Sequence, residues 1–370
     1  MEFTVNKADL VRELSLSQGV VEKKTTIPIL SNVLVEASGD RIFLTATDLE
    51  LGIRCSCAAK VKKQGSGTIP AKRLLDYVRL LPDAPLDIKL GDNHWITITC
   101  GRSKTRIAGM SRESFPELPQ MPDTLAKIPV AAFSTMIGRT IFAISNEESR
   151  FTLNGALLLL RDSAVTMVST DGHRLSMVQN SGIDLGGASY RALLPKKAMG
   201  EILKLGSDAA EDGAFEFSGD ENHLFFRLGD RMLMSRKLTG NFPDYERVLP
   251  KEQPNEIALA REEFRGSIER VAQFSDERSR AIRVRISTGE LKIFSSISET
   301  GESEENLPIE YSGANVEIGF NAAYLLDFLK AVPPGDIKFL FKDGNSAGEY
   351  RPGDAGEGNQ YRYVVMPMRI

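Results

Sequence analysis

Cysteine and histidine are scarce in this chain, three of each among 370 residues. Cys55, Cys57 and Cys100 form an odd set with no CxxC pair, which excludes a disulfide framework or a zinc knuckle and leaves them as half-buried strand residues. His94, His173 and His223 lie about 50 to 80 residues apart without HxH or HxxxH spacing, so no metal site is expected. Long apolar runs are missing too. The longest, residues 156–160, falls far below the roughly 20 residues that a membrane helix needs. The segment around Glu2 and Lys7 has none of the layout of a secretory leader, which makes a cytoplasmic location the expectation. Gly65, Ser66, Gly67 and Thr68 lack the Gly-Lys-Ser/Thr ending of a phosphate loop and read as a turn. No excess of positive charge is present either; the net charge of −4 argues against a uniformly basic nucleic-acid binder. No cofactor is implied by any of these features.

What is present is repetition. Apolar residues at 42% and charged ones at 26% describe an ordinary globular composition, and three stretches follow one plan at intervals of about 125 residues, the length of a whole domain. Each copy opens with an amphipathic segment, at 7–21, near 131 and near 261, and carries a second at 71–81, 195–205 and 321–332. Thr47 and Asp48 recur as Thr170 and Asp171, and Phe115, Pro116, Glu117 recur as Phe242, Pro243, Asp244. Between them run short alternating segments separated by turn residues such as Ser38-Gly39-Asp40, Ser218-Gly219-Asp220 and Asp343-Gly344-Asn345, which predict antiparallel hairpins. The fold class expected is therefore α+β, with three topologically similar domains at 1–122, 123–252 and 253–370, each bearing two helices on one face of its sheets. Boundaries fall in the Pro-rich segments 115–123 and 242–254. The Gly-rich stretch 343–360 reads as a loose hairpin excursion.

Charge is distributed unevenly over this plan. The six amphipathic segments hold more Lys and Arg than Asp and Glu, while the rest of the chain holds the opposite excess, so basic helices stand inside an acidic shell. The most enzyme-like motif is Asp171-Gly172-His173-Arg174, because a carboxylate beside a histidine is how general bases are oriented. No nucleophile motif accompanies it, and the first copy places Asp48-Leu49-Glu50 there instead. No catalytic residue is assigned. The ending, residues 364–370, is an apolar strand with Met366 and Met368 around Pro367, which either closes a sheet or offers an adaptable surface to partners.

With the threefold repeat, the TDGHR motif at 170–174, the FPDYERVLP segment at 242–250 and the VVMPMRI ending, the chain resembles the bacterial DNA sliding clamps, the β subunits of DNA polymerase III. The resemblance covers the full length. It implies a head-to-tail homodimeric ring whose helices line a central pore around double-stranded DNA, a processivity factor without enzymatic activity. By resemblance Lys24, Arg73, Arg150 and Lys197 face DNA, with Phe151 and His173 near the pore side. Replicative DNA polymerase, clamp loader, repair polymerases and mismatch-repair proteins would dock short linear peptides into one pocket. Its first wall would be Leu153, Thr170, Gly172, His173, Arg174 and Leu175, with Pro243, Arg247 and Val248 from the connecting segment. The opposite wall would be Asn321, Tyr324, Val364, Met366, Pro367, Met368 and Arg369. At the dimer interface Arg102, Lys104 and Arg106 should face Glu299, Glu302, Glu304 and Glu305 of the other subunit, with Ile107 and Phe274 as apolar contacts. Gln273 and Thr105 depart from the family pattern, which expects apolar residues there. Two competing readings remain: a repeat-built scaffold that binds proteins but no DNA, and a hydrolase using Asp171 and His173.

Overall fold

The computed structural model describes residues 1–21, 26–297, 301–356 and 358–369, with the side chains of 296 and 297 left aside. Its contacts divide the chain into two compact units, Met1–Ser134 with Lys197–Lys237, and Thr135–Lys196 with Leu238–Ile370. Among the described residues six α-helices occur where the amphipathic periodicity expects them: α1 Lys7–Ser17, α2 Ala71–Leu80, α3 Val130–Thr140, α4 Lys196–Gly206, α5 Arg261–Val271 and α6 Ala322–Ala331. Asn6 starts α1 by accepting hydrogen bonds from the N–H groups of Ala8 and Asp9 at 2.8 and 3.3 Å. That helix stops four residues before the expected Val21, and its last carbonyl, of Ser17, is satisfied by the N–H groups of Val20 and Val21 beyond it. On α2 the buried Leu74, Leu75 and Val78 form one stripe, while Lys72, Arg73, Asp76 and Arg79 stay exposed.

Every strand pairing among the described residues is antiparallel, as the hairpin signals require. The first unit holds a twelve-stranded sheet built on the long strand Leu51–Lys63, which pairs with Glu2–Val5 near one end and Arg231–Arg236 near the other. The second holds an eight-stranded and a four-stranded sheet. In the eight-stranded sheet Arg174–Ser181 pairs with the last strand of the chain, Asn359–Val365, so residues almost two hundred positions apart become neighbours.

Three local expectations are corrected. Gly65 to Thr68 form no turn but open the strand Gly65–Pro70, paired with Asn32–Ser38. Glycine is needed there because a Cβ on Gly67 would lie 3.1 Å from Leu90, and one on Gly65, at φ +147°, would lie 3.3 Å from Met1. The Gly-rich stretch is no loose excursion, since it contains the inner strand Gly348–Pro352 between Asp336–Phe341 and Asn359–Val365. Its Tyr350 is buried in an aromatic cluster, stacked on Phe339 with ring centroids 4.5 Å apart. The three cysteines are fully rather than half buried, and burial pushes the Cys57 thiol up to about 12, which makes it inert.

Candidate functional site

The Thr-Asp motif is a hydrogen-bonded turn, and the chain builds it twice. At residues 170–174 the Thr170 hydroxyl accepts from the Gly172 N–H at 3.0 Å and donates to the Arg174 carbonyl at 2.6 Å, while Asp171 Oδ1 accepts from the N–H groups of His173 and Arg174 at 2.9 and 3.0 Å. At residues 47–51 Thr47 accepts from Leu49 at 3.0 Å and donates to Leu51 at 2.9 Å, and Asp48 Oδ1 accepts from Glu50 and Leu51 at 2.9 and 2.6 Å. Both need a left-handed residue at the third position, and the second copy fills it with Gly172 at φ +89°. Serving these backbone donors is an ordinary Asx-turn role. With Oδ2 given to Arg174 as well, Asp171 has no lone oxygen aimed at the exposed His173 ring.

Arg174 is the hub of the second unit rather than a rim residue. Its Nε donates to Asp171 Oδ2 at 3.0 Å, Nη1 to Asp327 of α6 at 2.7 Å, and Nη2 to the Phe142 carbonyl at 2.6 Å. The guanidinium also lies over the Tyr324 ring, 4.3 Å from its centroid. Burial alone disfavours its charge, but Tyr363, Asp327 and Asp171 outweigh that and raise its pKa. Burial raises the Tyr324 phenol. Asn321 caps α6 by accepting from Ala323 and Tyr324 at 2.9 and 3.3 Å, and its amide donates to the Ser279 carbonyl at 3.1 Å.

The terminal strand completes the wall. Leu175 pairs with Val364, and beyond the strand the Met366 N–H donates to the His173 carbonyl at 2.9 Å and the Met368 N–H to Gly319 at 2.8 Å. Leu175 and Val364 are buried in one apolar cluster with Phe242 and Leu249, and Leu153 packs against it. Met366, two residues past Val364, is 45% exposed, and Pro367 and Met368 are partly exposed. A cavity of about 510 Å³ lies beside them, lined by Met366, Pro367, Met368 and the exposed Arg369 together with Arg283, Glu317 and Asn345. Val248 and Pro243 are exposed next to buried Phe242, and Arg247 projects outward in an ion pair with Asp244 at 2.9 Å. The structure thus brings Leu153, residues 170–175, Tyr324, Asn321 and the terminal segment together. It leaves Arg247 outside their network.

The residues expected at DNA are more scattered. Arg73 is exposed on α2 with no ion pair among the described residues. Arg150 is engaged instead, with Glu147 at 2.9 Å and the Asp171 carbonyl at 2.9 Å, so it braces the turn. Phe151 beside it is 58% exposed. Lys197 is tied to the buried Asp48 carboxylate. Lys24 lies outside the described residues, as does Glu299. Sequence reasoning missed Asp327, Tyr363 and Phe142 around Arg174, and Asp48 as the partner of Lys197. The only signal for Asp327 was an acid on the exposed face of an apolar helix.

Two edge strands carry opposite charge. Ser103–Ala108 ends the twelve-stranded sheet with Lys104 and Arg106 exposed on one face, and Arg102 sits exposed in the turn before it. Ile107 alternates to the other face and is buried in the core of its own unit. Gly301–Pro308 ends the four-stranded sheet with Glu302 and Glu304 exposed, while Glu305 turns to Arg270 of α5 at 2.7 Å. Phe274 remains 37% exposed beside this edge, packing near Gly301. Open edges of this kind present unpaired backbone groups to a partner.

Comparison with known proteins accounts for the whole chain. Family profiles described as the N-terminal, central and C-terminal domains of the DNA polymerase III beta subunit match residues 1–119, 127–244 and 246–369. A relative from Pseudomonas aeruginosa, named beta sliding clamp, is 34% identical over 373 residues, covering 100% of both chains. The crystal structure of the DNA polymerase III subunit beta from the same organism superposes with a TM-score of 0.94 at 34% identity, over 100% of each chain. A second structure from that organism, a sliding clamp bound to griselimycin, gives 0.94 at 33% identity with the same coverage.

Proposed function

This chain belongs to the family of DNA polymerase III beta subunits, and we propose that it works as that family's sliding clamp, a processivity factor rather than an enzyme. In this reading two copies close head to tail, with the basic edge at Lys104 and Arg106 meeting the acidic edge at Glu302 and Glu304 of the other copy. The ring encircles duplex DNA, attracting phosphates without reading bases through Arg73, Lys24 and Lys197. Arg150 contributes by holding the 170–174 turn, beside exposed Phe151 and His173. The domains of the ring are the three sequence repeats, 1–122, 123–252 and 253–370, and its location is cytoplasmic.

The observation that carries the docking half is the terminal segment. Exposed Met366 is fastened by its backbone to His173, two residues past Val364 in the apolar floor of Leu153, Leu175 and Val364. A floor of this kind with a soft, adjustable methionine near it suits short apolar peptides of varied sequence. Replicative polymerase, clamp loader and repair proteins would share it. The hydrolase alternative lacks a base, since the Asp171 carboxylate is taken by backbone N–H groups and Arg174. The test is topological: the protein, loaded on closed circular DNA, stays bound and is released when the circle is cut, and equal retention on linear DNA with free ends would overturn the clamp. Met366→Ala should weaken a bound partner peptide by about 1 to 3 kcal/mol, as loss of an apolar anchor does, while the dimer persists.

A further inference from the structure

The first unit holds a groove of its own, a cavity of about 790 Å³ between its sheet and the connecting segment 115–121. Around it the framework of the terminal site recurs, and of that framework Phe115 and Pro116 line the groove itself. The 47–51 turn stands where 170–174 stands, Gly52 pairs with Met234 as Leu175 pairs with Val364, and Phe115 is buried ahead of Pro116 as Phe242 is ahead of Pro243. The floor differs, with Gly52 in place of Leu175 and Met234 in place of Val364. Gly52 leaves room that the connecting segment fills, since a Cβ there would lie 2.8 Å from Leu118 and 3.1 Å from Met234. Leu34, Leu118, Met121 and Met232 make the apolar wall.

Beside that wall the groove is charged, and its charges do not balance pair by pair. Arg54 lies over Phe43 at 5.0 Å, and Arg54 and Arg112 both reach the one carboxylate of Glu36, at 3.9 and 3.3 Å. Of the other charged lining groups, Arg227 is bound to Glu216 and Asp230 to Arg41, and exposed Glu117 pairs with neither Arg54 nor Arg112. Two half-exposed guanidinium groups sharing one carboxylate retain donors for a second.

We propose that this groove is a second docking site, for an extended peptide that lays one large apolar side chain on Leu118, Met121 and Met232 and gives one carboxylate to Arg54 and Arg112. The proposal rests on the apolar wall and the local charge, not on the assignment of the terminal pocket. A test uses the full-length protein with 13C-methyl methionine and a synthetic peptide, acetyl-Ala-Leu-Asp-Ala-Phe-Ala-amide, beside its Asp→Asn twin. Addition of the Asp peptide should shift the Met121 and Met232 methyl signals, and the Asn twin should need about tenfold more peptide for the same shift, the loss of one charge-assisted contact. Arg112→Gln, at an exposed position, should give the same loss while leaving any response of Met366 unchanged. Shifts confined to Met366 and Met368, or equal affinity of the two peptides at Met121 and Met232, would overturn the second site. Shifts at Met121 and Met232 with none at Met366 would uphold it and count against the terminal pocket instead.

Discussion

At residues 47–51 the spare oxygen of Asp48 takes the ammonium of Lys197, whereas at 170–174 the spare oxygen of Asp171 takes the guanidinium of the turn's own Arg174. The backbone hydrogen bonds of the two turns are otherwise the same, donor for donor. Lysine supplies a point charge from a half-exposed side chain to this one carboxylate. Arginine supplies a planar fork, and this one spans Asp171, Asp327 and the Phe142 carbonyl while packing on Tyr324. A copied turn thus became a junction in one repeat and stayed a simple corner in the other. The difference lies in one side chain and what it reaches.

Removing each carboxylate is the most direct way to break the comparison. Asp171→Ala should cost about 3 kcal/mol, because a buried guanidinium loses one of its two counter-charges along with two backbone acceptor bonds. Asp48→Ala should cost about 1 to 2 kcal/mol, the loss of the turn bonds and a half-exposed ion pair. Chemical denaturation of the two variants checks the order, and equal losses would show that the Arg174 network adds nothing.

Acid should separate the same two regions by a smaller margin. Burial alone would raise the Glu349 carboxyl, but hydrogen bonds from Arg362 and Arg351 outweigh it and hold it below the ordinary carboxylate range. The stability it contributes is therefore complete above that range and is lost as pH falls through the depressed value. Glu349 pairs across the strands with Val364, so hydrogen exchange in Asn359–Val365 should quicken on acidification. In the first unit the corresponding strand Arg231–Arg236 relies on Asp208, whose carboxyl is also depressed, chiefly by its hydrogen bond from Arg231. Asp208 is half exposed and its pair is screened by water, so exchange there should change less. A uniform response in both strands would remove this distinction.

The smallest effects concern the left-handed residue of each turn. Gly172→Ala forces φ +89° on a residue with a Cβ, 2.9 Å from the Arg150 guanidinium, and should cost about 1 kcal/mol. Leu49 already tolerates φ +78° at an exposed corner, so Leu49→Gly should gain about 0.5 kcal/mol, the relief of strain less the entropy of a freer unfolded chain. Thermal unfolding of both variants would show opposite signs. Two losses would mean that Leu49 packs more than its exposure implies.

Much of this molecule was legible in its residues. Alternation between turn residues located the hairpins, and the spacing of Leu74, Leu75 and Val78 located α2 to within one residue. Repetition itself exposed the paired Thr-Asp motifs. Legibility failed where neighbours came from afar. Gly65 and Gly67 look like turn residues until Met1 and Leu90 are seen pressing on them, and the stretch after Asp343 looks loose until Tyr350 is seen against Phe339. Of the expected site, Leu175, Val364 and Met366 do converge, but Arg174 and Arg150 turned out to be braces of the turn, and Lys197 to be tied down.

Local spacing alone determined the α+β class, the threefold plan, the six helices and the repeated Thr-Asp motif, because helical and strand periodicity act over a few residues. Tertiary structure alone decided which turn became a junction. Asp327 and Tyr363 lie 153 and 189 residues beyond Arg174, and only the pairing of Arg174–Ser181 with the last strand brings that region beside it. No local pattern encodes such a meeting, since it depends on which strands share a sheet and not on the residues next in line.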